Sequence, residues 1–304
     1  MTKFNPGLVH TPLTPFTRDQ RIDFDTYARL IDFHIANGAD AIAVPMQAGE
    51  SVSLPDVQKR EVIGFAVKHA KGRVAVIAHA TDSGTSIAAS LAAFAEKAGA
   101  AAIVSSTPYY WTPPPAMLVE HFAAIAGAVS IPFYVHNAPD EMSGVKVNSP
   151  LMLKLIDKAK NFAGVVDSGL DWQFMIELLT DAPKKRAGFQ LVSGVDYMVS
   201  AAAIGSRAMF SPLAAIAPRL VRAMYDDCVA DRLFEARQAQ EDVAELRKAL
   251  SGLGVAGLKA AAKGMGRDCG DPRPPLEALP KAAAEQLAKA VAAIKPLAAE
   301  PRGW

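Results

Sequence analysis

Eight short apolar runs, recurring about every thirty residues, constrain this chain more than any other feature. They begin near Leu8, Ala41, Val74, Ala101, Ile131, Phe162, Phe189 and Ala208, at spacings of 33, 33, 27, 30, 31, 27 and 19 residues. Each run is apolar throughout rather than alternating, as in strands buried on both faces, and the segments between them carry helical spacing. Each repeat therefore reads as one βα unit. Punctuation agrees: Asp25 opens and Gly38 closes the first helix, Pro55 and Gly72 bracket the second, Gly99 ends the third, and Ser149 caps the fifth ahead of Pro150. Eight such units predict a (β/α)8, or TIM-type, barrel over residues 1–230. No GxGxxG follows the first run, which disfavours a dinucleotide fold. Beyond Val229 no β-rich run remains, so residues 231–304 are expected to form a helical annex. Its helices are expected over Leu233–Ala249 and Leu276–Ala298, separated by the turn SGLGVAG and the linker DPRPP, with a structural or oligomeric role.

Composition removes several partner classes. With 32 Lys plus Arg against 31 Asp plus Glu, the net charge of +1 supplies no field for nucleic acid or anionic lipid. Cys228 and Cys269 lack CxxC spacing, so neither a disulfide framework nor a zinc site is expected. The start MTKFNPGLVH has no signal-peptide pattern and no apolar stretch reaches a membrane span, so a cytoplasmic protein without membrane contact is expected.

Barrels of this type place chemistry at the carboxyl ends of the strands. Those ends fall at Thr11–Pro15, Gln47–Ser51, His79–Ser83, Thr107–Trp111, His136–Asn137, Asp167–Ser168, Ser193–Asp196 and Ser211. Several of these segments carry short motifs: TPF at Thr14–Phe16 followed by Ile22 and Asp23, AGES at Ala48–Ser51, and TPYY at Thr107–Tyr110. HNAP at His136–Pro139, VSG at Val192–Gly194 and AIGSRAMFS at Ala203–Ser211 complete the set. In this order, across nearly the whole chain, they resemble the dihydrodipicolinate synthase and N-acetylneuraminate lyase family of class I aldolase-type barrels.

The resemblance implies a 2-oxo acid, commonly pyruvate, held as a Schiff base on a lysine at the end of strand six. A relay tyrosine ends strand five, a second tyrosine follows strand four, and a GTTGES-like loop holds the carboxylate. Only a primary amine forms the iminium that withdraws electrons from the adjacent carbon. Here the lysine position falls on Val166, and no lysine lies between Lys160 and Lys184. A slip of one residue offers Val165 or Asp167, neither an amine. The two threonines of the carboxylate loop become Gln47 and Ala48, and the relay tyrosine becomes His136. Gly49, Glu50, Ser51 and Tyr110 match. The arginine expected after the NxP motif is missing where the loop reads DEMSG, with Asp140 and Glu141.

Each candidate has a chemical and a structural reading. His136 is a general base near working pH or a loop-holding hydrogen bonder. His79 adds bulk and a donor at the rim. His10 points at the helices while Thr11 and Leu13 face inward. These histidines with Asp82 and Asp167 raise a metal site, but their spacing forms no motif and none is assigned. Tyr109, Tyr110 and Trp111 are a substrate wall, a subunit contact or packing. Glu50 is an acid or bonds the amides of its own loop.

Two functions follow. One is a lyase or hydratase acting on a small 2-oxo acid or related carboxylate without a Schiff base and without a cofactor. In it His136 and Tyr110 move protons, and Thr11, Gln47, Ala48, Ser51, Val166, Asp167, Gly194 and Ser211 form the substrate site. The other is a non-catalytic pseudoenzyme that binds a small carboxylate or partners an active homologue. Either way the resemblance implies a homo-oligomer, a dimer or tetramer. Gln47, Ser51, Tyr110, His136 and Val166 are expected to line one pocket at the barrel mouth.

Overall fold

A computed structural model of the chain describes residues 4–140 and 145–304. Eight parallel strands close into a barrel in chain order, β1 pairing with β8 through Leu8 and Met209. They are β1 Leu8–His10, β2 Ala41–Val44, β3 Ala75–His79, β4 Ala102–Ser106, β5 Phe133–Asn137, β6 Phe162–Asp167, β7 Gln190–Ser193 and β8 Met209–Ser211. Between and after them run α1 Phe24–Ala36, α2 Asp56–Ala70, α3 Thr85–Ala98, α4 Pro115–Gly127, α5 Ser149–Lys158, α6 Trp172–Lys185, α7 Met198–Ala203 and α8 Pro218–Val229. The eight-fold alternation of the sequence is thus the (β/α)8 barrel it predicts. Glu141, part of the DEMSG segment, lies outside the described residues.

Side-chain alternation along the strands separates two apolar cores. Val9, Ala41, Ala43, Ile77, Val104, Tyr134, Val166, Val192 and Phe210 fill the barrel. Leu8, Ile42, Ile103, Phe133, Val135, Val165 and Leu191 face the helices instead. His10 follows the outer set, its Nδ1 lying 3.0 Å from Nδ1 of His34 on α1. Leu13, expected to face inward, belongs to the outer core because the chain has left β1 by that point.

Helix α1 buries Tyr27, Leu30, Ile31 and His34, one stripe at helical spacing. Its cap is Asp23 rather than Asp25: the Asp23 carboxylate accepts the Thr26 N–H at 3.0 Å from extended backbone. In α5 the cap moves likewise from Ser149 to Asn148, whose side chain accepts the Leu151 N–H. Both corrections have one cause. Where two capping residues are close in sequence, the one in extended conformation with an oxygen in reach of the third helical amide wins.

After α8 come α9 Leu233–Leu250, α10 Gly254–Gly264 and α11 Lys281–Ala293. The SGLGVAG segment, expected to be only a turn, opens α10, and the final helix starts at Lys281 rather than Leu276. Gly254 and Gly257 hid the helix, yet Val255, Leu258, Ala261 and Ala262 give it a buried face. Tertiary burial overrides the weak propensity of glycine.

Candidate active site

Extending each inner strand row by two residues places Thr11, His79, Ser106, His136, Ser168 and Gly194 around the carboxyl end of the barrel, above the apolar filling. A cavity of about 40 Å³ opens there, lined by Thr11, Met46, Gln47, Ala48, His136, Ser168, Gly194, Phe210 and Pro212. Gln47, Gly194 and Pro212 also line a wider cleft of about 880 Å³, whose far wall carries Tyr197, Arg247 and Lys248. The inner cavity is small, and the cleft carries Asp140 as well as these two cations, Arg247 being paired with Asp196.

Val166 is fully buried in the barrel filling, opposite His136 on β5 and Val192 on β7. The position at which the resemblance expects an amine is therefore an apolar wall beneath the cavity. Two lysines, Lys59 and Lys259, are buried in the described structure. Lys59, on α2, has its ammonium 3.5 Å from the Asp82 carboxylate and donates to the Thr81 carbonyl. Lys259, on α10, pairs with Glu50 at 2.7 Å. Neither lines the cavity.

His136 is the titratable side chain on the cavity wall. Its Nε2 lies 3.0 Å from Ser168 Oγ and its Nδ1 3.1 Å from Ser106 Oγ. The contacts continue: Ser106 Oγ is 3.1 Å from His79 Nε2, Thr81 Oγ1 is 2.7 Å from the same nitrogen, and His79 Nδ1 meets the Pro45 carbonyl at 2.9 Å. Burial lowers His136 to about 4 and His79 to about 3, so both rings are neutral at physiological pH.

The remaining expected residues do not all converge. Thr11, Gln47, Ala48, His136 and Gly194 line the cavity. Gln47 and Ala48 open a short 3-10 turn, so their amides have no partner within it. Tyr110 does not reach the cavity. It is 80% exposed at a φ of 72°, edge-on to Trp111, which is exposed as well. The one-pocket expectation is corrected accordingly, and packing within the chain does not explain this aromatic pair. Ser51 is buried in its turn, where its amide donates to the Met46 carbonyl.

Asp167 points away from the cavity and accepts the Asn137 amide at 2.6 Å, joining the ends of β5 and β6. Burial raises its carboxyl above the ordinary range. The Ser211 hydroxyl donates to Asp196, a buried carboxylate also held by Arg247 at 3.1 Å. Glu50 does not serve its own loop: it accepts the Arg273 amide at 2.8 Å and pairs with Lys259. It thereby fastens the β2 turn to the carboxyl-terminal region. No group of three His, Cys, Asp or Glu side chains gathers among the described residues.

Sequence reading missed Ser106, Met46, Phe210 and Pro212 as parts of the site; Thr81 and Ser168 fell within its strand-end segments but were assigned no role, Ser168 standing one residue beyond β6. Strand alternation was the available signal for Ser106 and Ser168. Both lie two residues beyond an inward-facing valine, Val104 and Val166.

Comparison with known proteins agrees with this architecture. Residues 5–294 match the model of the dihydrodipicolinate synthetase family. A 4-hydroxy-tetrahydrodipicolinate synthase from an Azoarcus species is 32% identical over 235 residues, 77% of this chain and 78% of that protein. One from Caldicellulosiruptor bescii is 31% identical over 281 residues, 92% of this chain and 93% of that protein. The crystal structure of dihydrodipicolinate synthase from Aquifex aeolicus superposes with a TM-score of 0.90 at 28% identity, covering 96% of this chain and 98% of that one. Barrel, strand-end motifs and near full-length match together mean that the chain belongs to the dihydrodipicolinate synthetase family.

Proposed function

We propose that this protein binds and acts on a small carboxylate, a 2-oxo acid or close relative, in a lyase- or hydratase-type reaction that forms no iminium. The observation that carries this reading is Val166, sealed in the barrel filling where the family resemblance expects the amine. The ligand's carboxylate is assigned to the Thr11 hydroxyl and the turn amides of Gln47 and Ala48. His136, neutral and on the cavity wall with its Nε2 3.0 Å from Ser168 Oγ, is placed to relay a proton through that hydroxyl. The relatives compared above are synthases. In this chain the carboxylate loop, the relay position and the amine position all differ from the pattern implied by the resemblance, so a different carboxylate or reaction is proposed.

A homo-oligomer, dimer or tetramer, belongs to the same reading. Its support is the exposed Tyr110–Trp111 pair, apolar surface that water penalises. Any part Tyr110 plays in proton movement then lies across a subunit contact. Calorimetric titration with pyruvate and its straight-chain homologues tests the proposal. Saturable binding that weakens in His136→Asn is expected, and a wild-type protein that takes up no 2-oxo acid or simple carboxylate sinks it.

A further inference from the structure

The hydrogen-bond chain behind His136 has a direction that can be worked out donor by donor. The Pro45 carbonyl only accepts, so the proton of the neutral His79 ring sits on Nδ1 and leaves Nε2 as a bare acceptor. Two hydroxyls reach that single lone pair. Thr81 Oγ1 is the closer at 2.7 Å, its oxygen already receives the Ser106 amide at 2.8 Å, and His79 Nε2 is the acceptor in reach of its hydrogen. Thr81 therefore donates to His79. Ser106, 3.1 Å from both rings, is left to give its hydrogen to His136 Nδ1. The neutral His136 ring then carries its proton on Nε2 and donates to Ser168 Oγ at 3.0 Å. With its oxygen accepting from His136, Ser168 keeps its own hydrogen free, and Ser168 lines the cavity. Gly194 completes the arrangement, since a Cβ at that position would collide with Ser168 Oγ.

We infer that Ser168 is a catalytic residue, the hydrogen-bond donor that meets the 2-oxo oxygen of the ligand and the negative charge developing there. Thr81, His79, Ser106 and His136 are the positioning residues that hold it in the donor state. This rests on the proposed function, because it presumes a carboxylate ligand bearing a second acceptor oxygen. It supplies what the missing amine leaves open. A carbanion next to a carbonyl is stabilised when the carbonyl oxygen becomes an enolate oxygen beside a fixed donor, and Ser168 stands two residues beyond Val166 on the same inward row. The step balances: a water molecule entering from the wider cleft takes the proton from the carbon next to the carbonyl, the C–H pair forms the enolate double bond, and the carbonyl pair moves to the oxygen facing Ser168.

Two measurements test the assignment. The first compares oxalate, which places an oxyanion where the enolate oxygen would sit, with propionate, which has the carboxylate alone. Wild type is expected to prefer oxalate. Ser168→Ala should lose about tenfold for oxalate with propionate unchanged, a loss in the range of one hydrogen bond to a charged group, and Ser168→Thr should retain the preference. Equal loss for both ligands, or none for either, overturns the role of Ser168 while leaving the proposed function standing. Wild type that binds pyruvate but neither of these ligands overturns the ligand half of this assignment, and wild type that binds no 2-oxo acid either overturns the proposed function with it. The second measurement needs no ligand: nitrogen-15 NMR of the imidazoles should find His79 protonated on Nδ1 and His136 on Nε2. His136 protonated on Nδ1 would have Ser168 donate its hydrogen to His136 Nε2, leaving none for the ligand, and would overturn the assignment.

Discussion

Val166→Lys returns an amine to the position where the family resemblance expects one, and the structure sets what that does to stability. Val166 is 0% exposed and packs among Val104, Tyr134, Val192 and Phe210. A lysine there must shed its charge or find water. The unfolded chain holds lysine at a pKa of ~10.4, so keeping it neutral at pH ~7 opposes folding by about 4–5 kcal/mol, at 1.36 kcal/mol per pH unit. The longer side chain adds about 1–3 kcal/mol of overpacking. The sum rivals the ~5–15 kcal/mol that holds a typical domain together. The sign follows from proton counts: between the two pKa values the unfolded chain binds one more proton than the folded one. Stability of the variant should therefore rise as pH climbs from ~7 toward ~10, by several kcal/mol relative to wild type. Urea unfolding of both proteins across that range reads the difference. A variant within about 1 kcal/mol of wild type at pH ~7, with no added pH dependence, would mean that position 166 reaches water and that the apolar wall is misread.

Acid should act through the buried histidines in the same sense. His79 and His136 are lowered to about 3 and about 4, so the unfolded chain takes up their protons first. Their contribution is present above ~6.5 and falls as pH drops, by about 2 kcal/mol each at pH ~5. Asp167 and Asp196, raised by burial, work in the opposite direction, so the comparison to make is wild type against His136→Gln. The variant should lose close to one proton from the slope of stability with pH, and identical slopes would contradict the burial argument. Glu50→Gln should destabilise by about 3–5 kcal/mol, because it strands the buried Lys259 ammonium. Adding Lys259→Met should recover most of that in urea unfolding, and failure to recover would assign the loss to the turn itself. Trp111→Glu should leave unfolding unchanged within about 0.5 kcal/mol but reduce the assembly mass in light scattering. A wild-type mass of 32.1 kDa would instead make the chain a monomer.

Strand periodicity made the barrel readable because a strand buried on both faces has to be apolar along its whole length. Helix α10 was not readable, since glycines at 254 and 257 mimic a turn and its stability comes from packing that no local window contains. At the site, His136, Thr11, Gln47, Ala48 and Gly194 were found from strand ends, whereas Ser106, the last paired residue of β4, was missed because that end was placed at Thr107. Ser168, named at a strand end, needed the inward row to mark it as facing the cavity. Glu50 shows a different limit. Its partners Lys259 and Arg273 lie more than two hundred residues away, and nothing near AGES announces them. Tyr110 was drawn to the cavity by motif alone, and a motif carries no information on which way a loop residue at positive φ will face.

The absence of an iminium is the claim on which the account turns, and borohydride reduction of wild-type protein with pyruvate tests it most directly. Intact-mass measurement should find no covalent adduct after reduction, because the site position is Val166 and the buried amines Lys59 and Lys259 are occupied by Asp82 and Glu50 away from the cavity. A reduced pyruvate adduct mapped by peptide mass to a lysine at the cavity would contradict the account and make this chain an ordinary Schiff-base lyase.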